Sequence, residues 1–198
     1  MTAIRLLVTS GSSRRGSLNR RLAAVATGVA REAGAAVTEL DLRDLGLPLY
    51  DGDIEAAGLP AGALELRRLA ASHDALLIAS PEYNAFPPPL LLNSFDWVSR
   101  VPPSDGLPSG LAATGRLVAG LLSASPGKLG GARSLMALRT FLSLNLGIWV
   151  VPSQFALAQA AKAFDDRGAL LDARQHESVA QVVGALLHGA TALRVPAP

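Results

Sequence analysis

Short apolar runs alternate with longer amphipathic stretches along the 198 residues of this chain. A continuous apolar run bounded by turn residues predicts a strand that is covered on both faces. Four runs fit this description and predict strands over residues 4–8, 75–79, 116–123 and 148–151, and residues 37–41 form a further, short predicted strand. Apolar residues at helical spacing predict five helices, over residues 18–33, 60–72, 90–100, 135–146 and 179–193, the last beginning near Asp172.

Strands that alternate with helices predict an α/β fold, with a parallel sheet covered by helices on both faces. Five strands suggest the doubly wound order 2-1-3-4-5. Residues 101–115 are rich in Pro, Gly and Ser, and we expect a surface loop there. The sequence has no internal repeat and no shift in composition, so we expect a single domain over residues 1–198.

This architecture predicts where a ligand-binding site lies, without reference to any motif. Ligands of open α/β sheets bind beyond the carboxyl ends of the strands, at the point where the strand order reverses. We therefore expect the site to be lined by the segments that follow strands one, three and four. These segments are residues 10–19, 80–89 and 124–131.

The amino-acid composition argues against several classes of function. Hydrophobic residues make up 49% of the chain and charged residues 17%, which is enough apolar material for a core. The net charge is only +2, and no run of five or six like charges occurs, so we expect no nucleic-acid partner. The absence of cysteine excludes disulfides, thiolate catalysis and cysteine-ligated metals.

Targeting signals and metal motifs are also missing from the sequence. No apolar run approaches the roughly 18 residues that span a bilayer, and the first residues lack a signal-peptide pattern. We therefore expect a cytoplasmic protein without membrane insertion. His73, His176 and His188 lie far apart without metal-ligand spacing, so we expect solvated or capping roles for them and no metal site. Asp165 and Asp166 precede Arg167 and Gly168, which favours a polar turn.

The first candidate segment joins a buried strand to the start of a helix. Unpaired N–H groups and partial positive charge at a helix start suit a phosphate. Ser12, Ser17 and Asn19 can add donors, and Arg14 or Arg15 can neutralise charge. The segment is neither a Walker A sequence nor Gly-x-Gly-x-x-Gly. The alternative is that Ser17 is only an N-cap and the rest is a solvated turn.

The other two segments suit a planar ring. Tyr83 can supply a flat surface, and Asn84 with the neighbouring backbone can bind a polar edge. The glycines between residues 125 and 131 permit main-chain contact with a ligand. The alternatives are that Tyr83 packs within the protein, that Pro81 only forms a turn, and that residues 125–131 form an ordinary flexible turn.

Three separated motifs resemble the NADPH-dependent FMN reductase family, which includes quinone, azo-dye and chromate reductases. The family pattern Gly-Ser-x-Arg-x-x-Ser-x-Asn matches Gly11, Ser12, Arg14, Ser17 and Asn19. Pro-Glu-Tyr-Asn is intact at residues 81–84. Ser-x-Gly-x-x-Gly-Gly matches residues 125–131, and Leu-Lys-Asn-x-x-Asp-Trp resembles residues 91–97. Residues 44–53 and 164–168 resemble the family as well, so the similarity covers nearly the whole chain.

The resemblance implies a flavodoxin-like fold and an enzyme that passes hydride from NADPH or NADH to FMN. The electrons would then go to a small acceptor such as a quinone, an azo compound or free flavin. No side chain is expected to act as nucleophile or obligatory acid, so we assign no catalytic residue. A homodimer or homotetramer is implied too. The residues expected to bind the cofactor are Ser12, Arg14, Ser17, Asn19, Pro81, Glu82, Tyr83, Asn84, Ser125, Gly127 and Gly130.

Two positions depart from the family pattern. The usual lysine of the third helix is Leu92, and a glycine usual before it is Pro89. Leu92 removes a charge that could meet a nicotinamide phosphate or a second subunit, and its apolar side chain suits a subunit contact. Phe95 and Trp97 are expected in the core or at a subunit contact. The alternatives are a non-catalytic FMN-binding redox sensor or electron carrier, and a flavin-free protein that binds nucleotides or phosphosugars.

Overall fold

The computed structural model describes residues 2–194 and contains one parallel five-stranded sheet. Its strands lie in the order β2-β1-β3-β4-β5, and every neighbouring pair runs parallel. The predicted fold class and strand order are therefore confirmed. The strands are β1 (Arg5–Ser10), β2 (Ala36–Asp41), β3 (Ala75–Ala79), β4 (Val118–Ala124) and β5 (Trp149–Leu157).

Helices cover both faces of the sheet, so two apolar layers flank the central strands. β3 and β4 are buried along their whole length, as their continuous apolar sequences predict. α1 and α7 pack on one face, and α3, α4 and α6 on the other. The helices are α1 (Leu18–Glu32), α2 (Gly52–Ala57), α3 (Ala61–Ser72), α4 (Pro89–Ser99), α5 (Gly110–Thr114), α6 (Ala132–Leu146) and α7 (Ala173–Leu193).

Two short helices and two 3₁₀ turns are absent from the sequence prediction. α5 lies inside the segment predicted as a loop, where Ser109 caps it by accepting a hydrogen bond from the N–H of Ala112 at 3.2 Å. α2 is capped in the same way by Asp51, which accepts from the N–H of Asp53 at 2.8 Å. The 3₁₀ turns span Leu42–Leu45 and Ala160–Lys162. Elements of one or two turns leave too little periodicity to be seen in a sequence.

The fifth strand continues six residues beyond its predicted end at Val151. Pro152 cannot donate to a sheet ladder, so the sequence gives no sign that the strand continues. β5 is an edge strand with an irregularity at this point, since Ala119 pairs with Val150 while Leu121 pairs with Gln154. The guanidinium of Arg139 supports the irregular segment by donating to the carbonyls of Val150 (3.2 Å) and Pro152 (3.3 Å).

No helix between residues 2 and 194 is long and apolar enough to cross a membrane. In the same part of the chain, no three His, Cys, Asp or Glu side chains come together as a metal site would require.

We predict that Gly62→Ala lowers the free energy of unfolding by about 2 kcal/mol, because a methyl group has no room there. A Cβ at residue 62 would lie 1.9 Å from the carbonyl oxygen of Leu45. Gly28→Ala is the matched control: nothing lies within 4 Å of its Cβ position in α1, and we expect stabilisation of about 0.5–1 kcal/mol. Urea unfolding measures both, and equal effects of the two substitutions would contradict this packing.

Candidate functional site

Three loops meet at the carboxyl edge of the sheet, where the sequence placed the site. Loop 1 (residues 11–17) joins β1 to α1, loop 2 (residues 80–88) joins β3 to α4, and loop 3 (residues 125–131) joins β4 to α6. Loops 1 and 2 touch at Gly11, whose N–H donates to the carbonyl of Ala79 at 3.1 Å. A Cβ on Gly11 would lie 2.8 Å from Cγ of Pro88, so glycine permits this close approach.

Loop 1 presents hydrogen-bond donors that the protein itself does not use. Ser12 and Ser17 are 3% and 4% exposed, and their hydroxyl oxygens accept weak bonds from the N–H groups of Arg14 (3.4 Å) and Arg20 (3.3 Å). Their hydroxyl hydrogens remain available. Within residues 2–194, the N–H groups of Ser13, Arg15, Gly16 and Ser17 have no protein acceptor. These donors stand at the amino end of the 15-residue helix α1, so loop 1 suits an anion.

The two arginines of loop 1 and Asn19 differ in their environment. Arg14 and Arg15 are exposed, and among the described residues their guanidinium groups form no hydrogen bond or ion pair. Asn19 is buried instead: its Nδ2 donates to the carbonyl of Ala124 at 2.8 Å, and its Oδ1 accepts from the N–H of Ala124 at 2.9 Å. The side chain expected to donate to a phosphate is thus engaged in joining α1 to the end of β4, beside loop 3.

Glu82 likewise connects two loops. Its carboxylate accepts hydrogen bonds from Nε of Arg133 at 3.0 Å and from the N–H of Ser134 at 3.2 Å. The hydroxyl of Ser134 donates to the carbonyl of Pro81 at 3.2 Å. The Arg133 guanidinium lowers the pKa of Glu82 from its ordinary value, so this carboxylate is ionised at neutral pH. Loop 2 is in this way attached to the start of α6, directly after loop 3.

The turn after Glu82 exposes two aromatic side chains. Tyr83 and Phe86 exchange backbone hydrogen bonds of 2.9 and 3.0 Å, and Asn84 and Ala85 between them have φ of 52° and 69°. Two consecutive positive φ angles define a tight turn of the primed type, which Asn accommodates well. Tyr83 is 41% exposed and Phe86 63%. The sequence prediction did not single out Phe86, whose exposure beside Tyr83 is seen only in the structure.

The glycines of loop 3 have different tasks. Gly130 (φ 62°) is packed against β5, since a Cβ there would lie 2.6 Å from the carbonyl oxygen of Ala156. Gly131 (φ 95°) has Ser123 Oγ 1.9 Å from its Cβ position. Gly127 is exposed, with only Ser125 Oγ near, and its N–H donates to that hydroxyl at 3.1 Å. Gly130 therefore shapes the loop. Gly127 leaves space for a ligand to approach the loop, although its own N–H and carbonyl already bind Ser125 and Gln159.

Other predictions from the sequence are confirmed by contacts elsewhere in the fold. His73 caps the end of α3, with Nδ1 2.7 Å from the carbonyl of Leu69 and Nε2 2.9 Å from Thr38 Oγ1. Asp165 closes a polar turn by accepting from the N–H groups of Arg167 and Ala169. Trp97 is fully buried and Phe95 nearly so.

A cavity of about 830 Å³ lies at the opposite, amino edge of the sheet. Three of its charged groups pair with each other, because Asp74 accepts hydrogen bonds from both Arg5 and Arg194. None of the site residues predicted from the sequence lines this cavity. The carboxyl edge therefore remains the candidate site.

Comparison with known proteins agrees with this geometry. Residues 4–162 match the model of the family described as NADPH-dependent FMN reductase. An NAD(P)H-dependent FMN reductase of Pseudomonas aeruginosa is 36% identical over 187 residues, which are 92% of this chain and 93% of that protein. A quinone reductase of Pseudomonas putida is 33% identical over 166 residues, 83% of each chain.

A solved structure is similar over almost the whole length. FerB, a flavoenzyme NAD(P)H:(acceptor) oxidoreductase from Paracoccus denitrificans, superimposes with a TM-score of 0.74 and 25% identity, covering 96% of this chain and 98% of FerB. The expectation of an FMN-dependent, NAD(P)H-using oxidoreductase is thereby confirmed. By sequence and by fold, the chain belongs to the NADPH-dependent FMN reductase family.

Proposed function

We propose that this protein binds FMN at the three loops, takes hydride from NADPH or NADH, and reduces a small acceptor such as a quinone, an azo compound or free flavin. The observation that carries the proposal is the set of unused N–H and hydroxyl donors in loop 1, at the switch point of the sheet. The similarity to a quinone reductase of Pseudomonas putida supports the acceptor class.

The donors of loop 1 fit the 5′-phosphate of FMN. Ser12 and Ser17 would donate through their hydroxyl groups, and the unpaired backbone N–H groups of Ser13 and Gly16 would supply further hydrogen bonds. Arg14 is free to add positive charge from the surface. The bound flavin supplies the two-electron chemistry, and the protein supplies position and electrostatic environment.

The ring system would lie between loops 2 and 3. Pro81, Tyr83 and Asn84 offer a rigid turn with an exposed aromatic surface, and Gly127 offers an exposed position without a side chain, beside the hydroxyl of Ser125. Asn19, Glu82 and Gly130 would act by holding the loops in place, since their polar atoms or backbone positions are used within the protein. Loops held in this way keep their backbone dipoles fixed. Fixed dipoles stabilise charge on a reduced ring without having to reorient.

A homodimer or homotetramer belongs to the proposal. Leu92 is half-buried on α4, the helix that begins beside loops 1 and 2, and it stands where the family has a lysine. An apolar residue at this position favours contact with a second subunit over contact with a charged phosphate. A cytoplasmic location stays a prediction.

We expect the purified protein to be yellow and to show the visible absorption of bound flavin, because FMN is held through its phosphate and its ring. Mixing with NADPH or NADH in a stopped-flow instrument should bleach that absorption, and a quinone should restore it. A coloured protein that neither donor bleaches would support an electron carrier or redox sensor instead. A colourless protein that takes up no added FMN would refute the proposal.

We predict that Ser12→Ala raises the Kd for FMN about tenfold, because a buried hydrogen bond to a charged group is lost. Ser13→Ala is the matched control, since its side chain is exposed and the change leaves the backbone N–H intact. Fluorescence titration of the flavin measures both. A larger effect of the Ser13 substitution would show that buried hydroxyls do not bind the phosphate.

We predict that Glu82→Gln lowers the unfolding free energy of the apoprotein by about 1 kcal/mol at pH 7, through the lost pair with Arg133. Because the folded-state pKa of Glu82 is lowered, its stabilisation exists above the unfolded carboxyl pKa of about 4.3 and is lost as the pH falls. The difference from wild type should therefore shrink between pH 5 and pH 3 in urea unfolding.

The control for this prediction is Glu65→Gln, which breaks an exposed pair with Arg68 on the surface of α3. We expect a loss of about 0.3 kcal/mol at pH 7. A Glu82→Gln difference that stays constant down to pH 3 would contradict the role assigned to the ionised carboxylate.

A further inference from the structure

A charged network lies beside loop 1, at the carboxyl end of β2. Asp41 is the last residue of that strand, and its carboxylate pairs with two arginines. Arg20 approaches through Nη2 at 2.5 Å from Oδ2. Arg43 approaches through Nη2 at 2.7 Å and through Nε at 3.2 Å. One carboxylate therefore fixes two guanidinium groups that come from α1 and from the turn after β2.

Each of these arginines also holds a carbonyl of loop 1. Nε of Arg20 donates to the carbonyl oxygen of Ser12 at 3.2 Å. Nη1 of Arg43 donates to the carbonyl oxygen of Ser13 at 3.3 Å. Two consecutive peptide groups of the loop are thereby held by side chains that share a single anion, Asp41.

The geometry of the peptide bond carries this orientation to the opposite side of the loop. In a planar trans peptide the carbonyl and the following N–H point in opposite directions, and the described residues contain no cis peptide bond. When the carbonyls of Ser12 and Ser13 face the arginines, the N–H groups of Ser13 and Arg14 face away from them. The first has no protein acceptor, and the second makes only a 3.4 Å contact with Ser12 Oγ.

We propose that Asp41 is a positioning residue for phosphate recognition: through Arg20 and Arg43 it turns the donors of loop 1 toward the bound anion. This inference rests on the proposed function of loop 1 as the binding site for the 5′-phosphate of FMN. Asp41 itself does not touch the phosphate, because its carboxylate is occupied by the arginines.

The negative charge of Asp41 and its proposed positioning role have opposite effects on FMN affinity, so the direction of the change on removing the carboxylate tests the proposal. Removing this carboxylate makes the surroundings of loop 1 more positive by one charge, and electrostatic attraction alone would then tighten the binding of an anionic phosphate. If Asp41 positions the donors, its removal weakens binding despite the added positive charge. Hydrogen bonds from Arg43 and Arg20 hold the pKa of Asp41 far below its usual range, so it is charged throughout the neutral pH region.

The test compares FMN with riboflavin, which has the same ring and lacks the phosphate. In Asp41→Asn, the new side chain can still cap the N–H of Arg43, so the turn after β2 keeps its acceptor. We expect the Kd for FMN to rise about tenfold and the Kd for riboflavin to change less than twofold, measured by fluorescence titration.

Glu39→Gln is the matched control. It removes the same charge two residues earlier on β2, from an exposed pair with Arg31 that does not touch loop 1. We expect its FMN affinity to be unchanged or slightly higher. Arg43→Lys is a second variant, which keeps the positive charge but lacks the fork that reaches both Asp41 and the carbonyl of Ser13. We expect a loss of FMN affinity of about threefold with riboflavin unchanged. This variant decides the question if Asp41→Asn does not fold.

The outcomes separate this inference from the proposed function. If wild-type protein binds FMN, an unchanged or improved FMN affinity in Asp41→Asn and Arg43→Lys overturns the positioning role. Equal losses for FMN and riboflavin also overturn it, because they indicate general disruption of the loops. If the wild-type protein binds neither flavin, the proposed function fails and the positioning role falls with it.

Discussion

The candidate site depends on contacts that join three loops far apart in the sequence, two of them polar and one a close apolar approach. Asn19 joins the start of α1 to the end of β4 through two hydrogen bonds to Ala124. Glu82 joins loop 2 to the start of α6 through Ser134. Gly11 brings loop 1 against Pro88 of loop 2. Each pair of loops is thus in direct contact or attached through an element end, and breaking the Asn19 link would leave buried polar groups without their partners.

In this arrangement, backbone N–H groups and two hydroxyl groups remain to bind a ligand. Several of the most recognisable motif residues, namely Asn19, Glu82 and Gly130, are engaged with the protein itself. They set the shape of the loops, while unpaired N–H groups and the hydroxyls of Ser12 and Ser17 remain for an anion. A motif of this kind identifies a site well, because the shape it encodes is specific, but it does not separate contact residues from supporting ones.

Much of the fold could be predicted because the central strands are buried on both faces and leave continuous apolar runs. The short helices α2 and α5 could not, since caps and tertiary packing stabilise them and no periodicity does. The extension of β5 beyond Val151 could not be predicted either, because the place of Pro152 in an irregular edge strand depends on Arg139 from another element.

The position of the candidate site could be predicted as well, because parallel topology alone brings the three loops to one edge. Which residues remain free for a ligand and which hold the loops in place could not be predicted from the sequence. The sequence around Asn19 does not show whether its side chain binds a ligand or joins two elements of the protein. Its partner Ala124 lies 105 residues away in the sequence, and the two residues meet only in the folded protein. The contacts of Asp41 with Arg20 and Arg43 required the same three-dimensional information.

The most direct measurement is the amide spectrum of loop 1 in ¹⁵N-labelled protein during titration with FMN and, separately, with riboflavin. The account predicts that the N–H resonances of Ser13, Arg15, Gly16 and Ser17 shift strongly with FMN and little with riboflavin, because those groups bind the phosphate. Resonances that respond equally to both flavins, or to neither, would contradict it.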